Sequence, residues 1–478
     1  MEKEYRLAAG FGTLKGLERN GCREFFGVPF AKAGRFEYAV MTDRLEGEFD
    51  ATKPGQACPQ YRTVDMQLEN KGRLFYHREF RDGQVFDYGE DCLNLNIFTP
   101  SGEGPYPVIV FFYGGSFNSG ANSELPFAGE GLARRGIVTV FANYRVGILG
   151  YMTHEAIKAQ YGREGNFGLD DQRTALLWVK AHIADFGGDP DNVTAMGQSA
   201  GAMSVQFLCV NQDNKGLFRH AFMMSGAGCF PKFALPKRAE DTRGYWLQFM
   251  EEAGCGSFEE LKAFDVNELM RAAERFKLKR KDTQFMTMPV IDGALLPGPV
   301  DRLIKHPLDV DYMIGYTNND MYAPALALVG DRFGKANGAY IYYFDIDSPG
   351  DGNKAFHSCD VRYVFEQLDG HWRPYGQRDY EVSEQLAAYV ANFAKYGDPN
   401  GSGLPVWKDA GRGPAARVLR FGPSSTEMGK ADYAKMALNF AKTGGWPVVD
   451  ETGEETYQER VGHGKAYKEA GTGEFGKA

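Results

Sequence analysis

Apolar residues fall in two alternating rhythms along the middle of this chain. Short, nearly continuous apolar runs occupy Val108 to Phe112, Ile137 to Phe141, Val193 to Met196, Ala221 to Met224, Tyr312 to Gly315 and Tyr340 to Phe344. Runs of that length and composition predict strands buried on both faces. Between them the spacing becomes helical. Gln172 to Phe186 places Leu176, Leu177, Val179 and Ile183 on one side, and Gly187-Gly188-Asp189-Pro190 stops the pattern. A second helix is predicted from Ala200 to about Val210, directly after the strand at 193–196. Alternation of this kind predicts an α/β fold with a central, mostly parallel sheet covered by helices on both faces.

The flanks of this rhythm differ. The first hundred residues read as short strands and turns, with Gly27 to Ala31 extended and Leu93 to Phe98 alternating with strand period. Residues 231–300 are charge-rich and helical, and are expected to form an inserted helical lid layer. A late helix is predicted over Tyr380 to Tyr396, ended by Gly397-Asp398-Pro399. Residues 1–450 are therefore expected to form one domain. Residues 451–478, rich in Gly, Glu and Lys with few apolar positions, are expected to form a polar tail that packs loosely or stays mobile.

Composition narrows the function classes. With 478 residues, 43% hydrophobic and 24% charged, the chain has ample material for a core. A formal net charge of −9 gives no overall basic field for nucleic acid. No apolar run approaches the roughly 18 residues of a membrane span. The start, Met1 to Leu7, has no apolar stretch of the signal-peptide kind, so a cytoplasmic location is expected, although a trimmed chain would look the same. Seven cysteines, at 22, 58, 92, 209, 229, 255 and 359, are odd in number and include no CxxC pair. That argues against a disulfide scaffold, a zinc ribbon or a thioredoxin-type motif. The 59 glycines and 14% aromatics point to many tight turns and an aromatic-lined interior or pocket.

Gly197-Gln198-Ser199-Ala200-Gly201 is the strongest chemical signal. In a composition with 14 serines and 59 glycines, about 0.2 chance matches to GxSxG are expected, so context must decide. Here the motif falls between a predicted strand and a predicted helix, the setting of a nucleophile elbow. Glycines two before and two after the serine permit the sharp turn, and the helix N-terminus beyond it favours developing negative charge. Tyr113-Gly114-Gly115-Ser116-Phe117 comes directly after the strand at 108–112. Such a loop can aim backbone N–H groups at one point, with Ala200 N–H completing an oxyanion hole.

These motifs, taken in order, resemble the type B carboxylesterase family, the carboxylesterase/cholinesterase branch of the α/β-hydrolase fold. Further matching segments are Gly27 to Lys32, Cys58-Pro59-Gln60, Glu90 to Asn96, Asn143-Tyr144-Arg145, Asn166 to Gln172 and Phe186 to Pro190. The resemblance covers about residues 8 to 445 and is nearest to bacterial-type carboxylesterases. It implies a Ser, acid, His order. Gly315-Tyr-Thr-Asn-Asn-Asp320 resembles the segment whose sixth residue is the acid, with Asp320 in place of the usual Glu and Asn319 in place of the preceding acid. Ala355 to Asp360 resembles the histidine segment, and places His357 as the base. Cys58 and Cys92 resemble the family's first disulfide, while Cys255 lacks a partner where the second would fall. Ser225, in Met224-Ser225-Gly226, reads equally as a supporting hydroxyl near the acid or as a plain turn serine.

On this resemblance, Ser199, His357 and Asp320 are expected to hydrolyse carboxylic esters through an acyl-enzyme. The Gly115, Ser116 and Ala200 N–H groups are expected to hold the oxyanion, with Gly114 shaping the loop. No metal or organic cofactor is expected, and the expected partner is a small-molecule ester, with the oligomeric state left open between monomer and dimer. Cholinesterases carry Glu where Gln198 stands, and a Trp between the two cysteines. Here Tyr61, Phe75, Tyr76, Phe80, Phe86 and Tyr88 lie there instead. Selective binding of a quaternary ammonium is therefore not expected, and neutral, apolar or aromatic esters are. The aromatics are equally suited to packing the loop itself. Rival readings are a lactonase, thioesterase, carbamate hydrolase or peptidase on the same fold, or a non-catalytic cholinesterase-like binding protein.

Overall fold

A computed structural model describes residues 3–64, 71–226, 235–280, 286–320, 323–410 and 417–443, together with Pro447. Its centre is a 13-stranded mixed sheet. Seven strands run parallel in the spatial order Val138–Ala142, Tyr106–Phe112, Gly188–Gln198, His220–Met224, Asp311–Thr317, Tyr340–Phe344 and Val418–Phe421. The first six contain the near-continuous apolar runs of the sequence, which are buried almost throughout; Val418–Phe421 is not among the strands read from the sequence. Met196, for example, is flanked by Phe111 on one side and Phe222 on the other. Helices on both faces leave such strands no wet side, which is why their residues do not alternate.

Both sheet edges turn antiparallel. At one end Lys3–Ala8, Thr13–Arg19 and Cys22–Pro29 form a meander that reaches the parallel strands through Asn94–Pro100. At the other, Thr426–Gly429 pairs antiparallel with Val418–Phe421. The helix read from Gln172 begins at Phe167 and runs to His182. Its first turns carry buried Asp170, Asp171 and Gln172, which hide the apolar period. Asp171 is held there by a bidentate pair with Arg145, at 2.7 and 2.9 Å.

Within the 231–300 stretch, the structure has helices Ala239–Ala253, Phe258–Ala263 and Val266–Lys279. The last packs against the Tyr61–Val64 turn and against the first. Residues 231–234, 281–285 and the 451–478 segment lie outside the described residues. Among the described residues, no helix is long and apolar enough to cross a membrane.

Strand order fixes where chemistry can occur. After Tyr106–Phe112 the chain crosses to one neighbour, Val138–Ala142, and then returns to the other side as Gly188–Gln198. Loops leaving adjacent carboxyl ends thus diverge, which opens a crevice at this switch point. The Gly114-Gly115 loop and Ser199 both emerge there.

Candidate active site

Ser199 is the single residue between the strand Gly188–Gln198 and the helix Ala200–Cys209, and it has φ 56° and ψ −123°. A serine held in this sparsely populated region costs about 1–3 kcal/mol and persists only when its surroundings enforce it. They do. Ser199 N–H donates to Met224 O at 2.8 Å. A Cβ on Gly197 would lie 2.4 Å from the Gly201 carbonyl carbon, and one on Gly201 would lie 2.0 Å from Phe112 O. Only glycine fits at either position, so the sequence motif is a steric requirement of the turn.

His357 Nε2 lies 2.8 Å from Ser199 Oγ, and Nδ1 is hydrogen-bonded to Asp320 Oδ1. Asp320 is fully buried and His357 nearly so. The three predicted residues are thereby brought into one connected chain. Asp320 lies just past the strand Asp311–Thr317, and its turn is tied to the histidine loop by the two asparagines before it. Asn319 N–H donates to Ala355 O at 2.9 Å, Asn319 Nδ2 to Asn353 O at 3.1 Å, and Asn318 Oδ1 accepts from Ala355 N–H at 3.3 Å. A one-residue parallel bridge between Asn319 and Phe356 sets the next residue of each segment, Asp320 and His357, side by side.

The electrostatics favour a chargeable base. Burial disfavours the imidazolium of His357, but the charge of Asp320, its hydrogen bond and the charge of Asp360 outweigh this and raise the pKa above the ordinary value. Gln198 Nε2 also lies 3.2 Å from His357 Nε2. With Nδ1–H given to Asp320, the Nε2 lone pair is left to accept from both the Ser199 hydroxyl and the Gln198 amide.

The loop after Tyr106–Phe112 folds tightly, with positive φ at three successive residues: Gly115 (112°), Ser116 (55°) and Phe117 (59°). A Cβ on Gly114 would sit 2.8 Å from Ser199 Cβ, so this loop rests directly on the nucleophile. Among the described residues, the N–H groups of Gly115, Ser116 and Ala200 donate no hydrogen bond. Three unpartnered donors beside a serine hydroxyl are what an oxyanion hole requires.

Other expectations need correction. Cys58 and Cys92 are buried free thiols in this structure and are not joined in a disulfide; Cys58 Sγ donates to Pro59 O at 3.5 Å. Val146 N–H also donates to Cys58 Sγ at 3.4 Å. Ser225 Oγ makes no hydrogen bond among the described residues, so it does not support Asp320. Its backbone does contribute, because Ser225 N–H donates to Gly315 O at 2.7 Å. Most of the aromatics between Cys58 and Cys92 pack the loop. Phe75 meets Phe356 edge to face, Phe80 meets Phe127, and Phe86 lies under Arg81, whose guanidinium also donates to Tyr88. Tyr76 OH donates to His357 O at 3.4 Å, and Tyr61 lines a small cavity.

Sequence reasoning missed Asp360. It is fully buried, its Oδ2 accepts from Tyr342 OH at 2.6 Å, and Oδ1 has no partner among the described residues. Burial, aided by the charge of Asp320 and opposed by the Tyr342 bond and by His357, pushes its pKa up to about 6. Its place three residues after His357 was the only available signal. Among the described residues, no cluster of three or more His, Cys, Asp or Glu is arranged to hold a metal. Cavities of about 280 and 490 Å³ exist elsewhere, but none of the three linked residues lines either.

Sheet order, strained serine turn and serine–histidine–aspartate geometry together define an α/β-hydrolase fold. The sequence matches the Carboxylesterase family over residues 3–333 and 320–441. It is 33% identical to the para-nitrobenzyl esterase of Bacillus subtilis (strain 168) over 322 residues, 65% of this chain and 62% of that protein. With the bile salt-activated lipase of Mus musculus it shares 34% identity over 321 residues, 62% of this chain and 48% of that one. A solved PNB esterase superimposes with a TM-score of 0.77 at 26% identity, covering 91% of this chain and 99% of that one. The chain belongs to the carboxylesterase family. Its alignments span less than two thirds of the length of these curated relatives.

Proposed function

We propose that the chain hydrolyses carboxylic esters through an acyl-enzyme on Ser199. The observation that carries this reading is the unbroken Asp320–His357–Ser199 hydrogen-bond chain ending on a serine held in a strained turn. His357 Nε2 accepts the Ser199 proton as Oγ attacks the ester carbonyl. Negative charge develops on the carbonyl oxygen and is met by the Gly115, Ser116 and Ala200 N–H groups. Asp320 holds the tautomer and stabilises the imidazolium, which then protonates the departing alcohol. Water, deprotonated by His357, attacks the acyl-enzyme, and the returned proton releases Ser199 with the carboxylic acid. No step needs a metal or organic cofactor.

The substrate class we infer is a neutral ester bearing an apolar or aromatic group. In support, a cavity of about 40 Å³ beside Asn118 has Tyr61, Tyr245, Trp246, Phe249, Met270 and Phe276 in its lining, together with the polar Gln60, Glu274 and Lys277. Asn118 Nδ2 donates to Ser116 O at 2.7 Å, which joins this aromatic-rich space to the oxyanion loop. Gln198 puts a neutral amide beside His357 Nε2, in the position before Ser199 where a carboxylate would favour a cationic substrate.

Two experiments test this. A fluorophosphonate should add its mass at Ser199 in the folded protein and not in Ser199→Ala; a folded wild-type protein that stays unlabelled would refute the reading. A series of p-nitrophenyl esters from acetate to laurate, with aryl-acid esters beside it, should show turnover. Absence of turnover on every member, with amides or thioesters cleaved instead, would move the assignment to another acyl hydrolase.

A further inference from the structure

Three consecutive positive-φ residues do not hold themselves, and the oxyanion loop has an anchor outside its own sequence. Its first residue, Tyr113, is fixed by stacking on Tyr144 (ring centroids 4.4 Å apart) and by crossed hydrogen bonds, Tyr113 OH to Tyr144 O at 3.0 Å and Tyr144 OH to Tyr113 O at 2.7 Å. Its middle closes on itself, since Gly115 O accepts from Asn118 N–H at 3.0 Å and Ser119 N–H at 3.2 Å. Its far end, Gly120, is held by a side chain sixty residues away. Gln60 Nε2 donates to Gly120 O at 3.0 Å, and Gln60 Oε1 accepts from Gly120 N–H at 3.1 Å.

One carboxamide thus pairs with both polar groups of one residue, as a neighbouring strand would. Gln60 is itself fixed. It is 1% exposed, its Nε2 also donates to Cys58 O at 3.0 Å, and its Oε1 receives Arg81 Nη2 at 3.4 Å. Arg81 in turn donates to Glu124 at 2.6 Å. Gly120 has no freedom to compensate. With φ at 127°, any Cβ there would lie 2.2 Å from the Tyr113 ring and 2.8 Å from Gly114 O. The amide end presents a donor and an acceptor in one plane, whereas an ionised Glu only accepts and Leu does neither, so neither reproduces the pairing.

We propose that Gln60 is a positioning residue for the oxyanion loop: by pinning Gly120 it sets the aim of the Gly115 and Ser116 N–H groups. It touches no reacting atom. Transition-state stabilisation depends on donors preorganised to within a fraction of an ångström, and displacement by about 1 Å costs on the order of 10²-fold in rate. The inference rests on the ester-hydrolase reading for its kinetic consequence.

Gln60→Glu and Gln60→Leu should lower kcat for p-nitrophenyl acetate by about 10²-fold and leave KM within about threefold. Both should weaken binding of an aryl trifluoromethyl ketone, whose adduct with serine carries an oxyanion, by a similar factor. In Gln60→Leu the acid-limb midpoint of kcat/KM should not move, because no charge is added and His357 and Asp320 are untouched. A folded variant with kcat within threefold of wild type would overturn the proposal, as would a loss confined to KM. Should neither variant fold, hydrogen exchange on the wild-type protein decides: Gly120 N–H should be protected as strongly as the strand Tyr106–Phe112, and exchange at the rate of an open loop would overturn it. Wild-type protein without esterase activity would instead refute the function, leaving the exchange result to judge the anchor.

Discussion

At His357 four neighbours act on one imidazole. Asp320 and Ser199 bind its two nitrogens, Gln198 reaches the same Nε2, and the charge of Asp360 acts on it without a hydrogen bond. A base must be neutral to accept the serine proton, so a pKa raised above the ordinary value of about 6.5 shifts the acid limb of activity upward. The kcat/KM profile should therefore fall through a midpoint above that value as pH drops. Asp360→Asn removes a negative charge that favours the imidazolium and should move the midpoint down, extending activity into more acid solution. A midpoint that stays in place or rises would show that Asp360 does not act on His357. Replacing Asp320 by Asn keeps the shape and loses the charge. It should lower kcat by orders of magnitude, about 10⁴-fold by analogy with a serine-protease triad, and near-normal turnover would mean that another group orients the base.

The elbow, as an element, was legible because its constraint is local. The two glycines of the motif are demanded by atoms within a few residues, or on the adjacent strand, and the flanking apolar runs announce strand and helix. Gly201→Ala tests this directly. Its Cβ would meet Phe112 O, and Phe112 cannot retreat because it is paired to Ala142 on one side and Gly197 on the other. The variant should lose fluorophosphonate labelling and melt earlier; normal labelling would show that the turn relaxes more than the packing implies. Asp320 and His357 were legible only through resemblance, since nothing in their spacing states contact. What joins them, the Asn319–Phe356 bridge, is a pairing across 37 residues with no periodic signature. The carboxamide of Gln60 and the buried carboxylate of Asp360 were hidden for the same reason. A polar residue whose partners lie far along the chain looks like any surface residue. The helix Lys71–Phe80 was missed too, its buried Glu79 and the neighbouring Arg81 being held by distant ion pairs and not by an apolar stripe.

Over the whole molecule, the last described helix, Tyr433–Thr443, is clamped against the helix Ala323–Asn337 and the turn after Tyr340–Phe344, and two carboxylates in that clamp respond to pH with opposite sign. Asp331, on the helix Ala323–Asn337, accepts hydrogen bonds from Tyr316 OH and Tyr433 OH. Burial, only partly offset by Tyr316 and Lys335, pushes its pKa up to about 6. The fold thus favours its neutral form. Its contribution is fully present below the unfolded value of about 3.9 and is lost as pH rises through 6, a difference of about 3 kcal/mol. Asp345, after the strand Tyr340–Phe344, is the reverse. Burial disfavours its charge, but hydrogen bonds from Lys435 at 2.6 Å, Asn318 at 2.9 Å and Arg420 at 2.9 Å prevail, and its pKa is lowered. Its contribution is present above the unfolded carboxylate range and is lost as pH falls through the lowered folded value. Asp331→Asn, which keeps a neutral acceptor, should therefore stabilise the protein near pH 7.5 and make little difference near pH 4. Asp345→Asn should destabilise it near pH 7.5, with the deficit shrinking in acid. Urea unfolding of both variants and wild type at the two pH values reads these differences directly. Parallel pH trends in the two variants would mean that the clamp does not store charge as described, because only opposite native-state shifts bend the two difference curves in opposite directions.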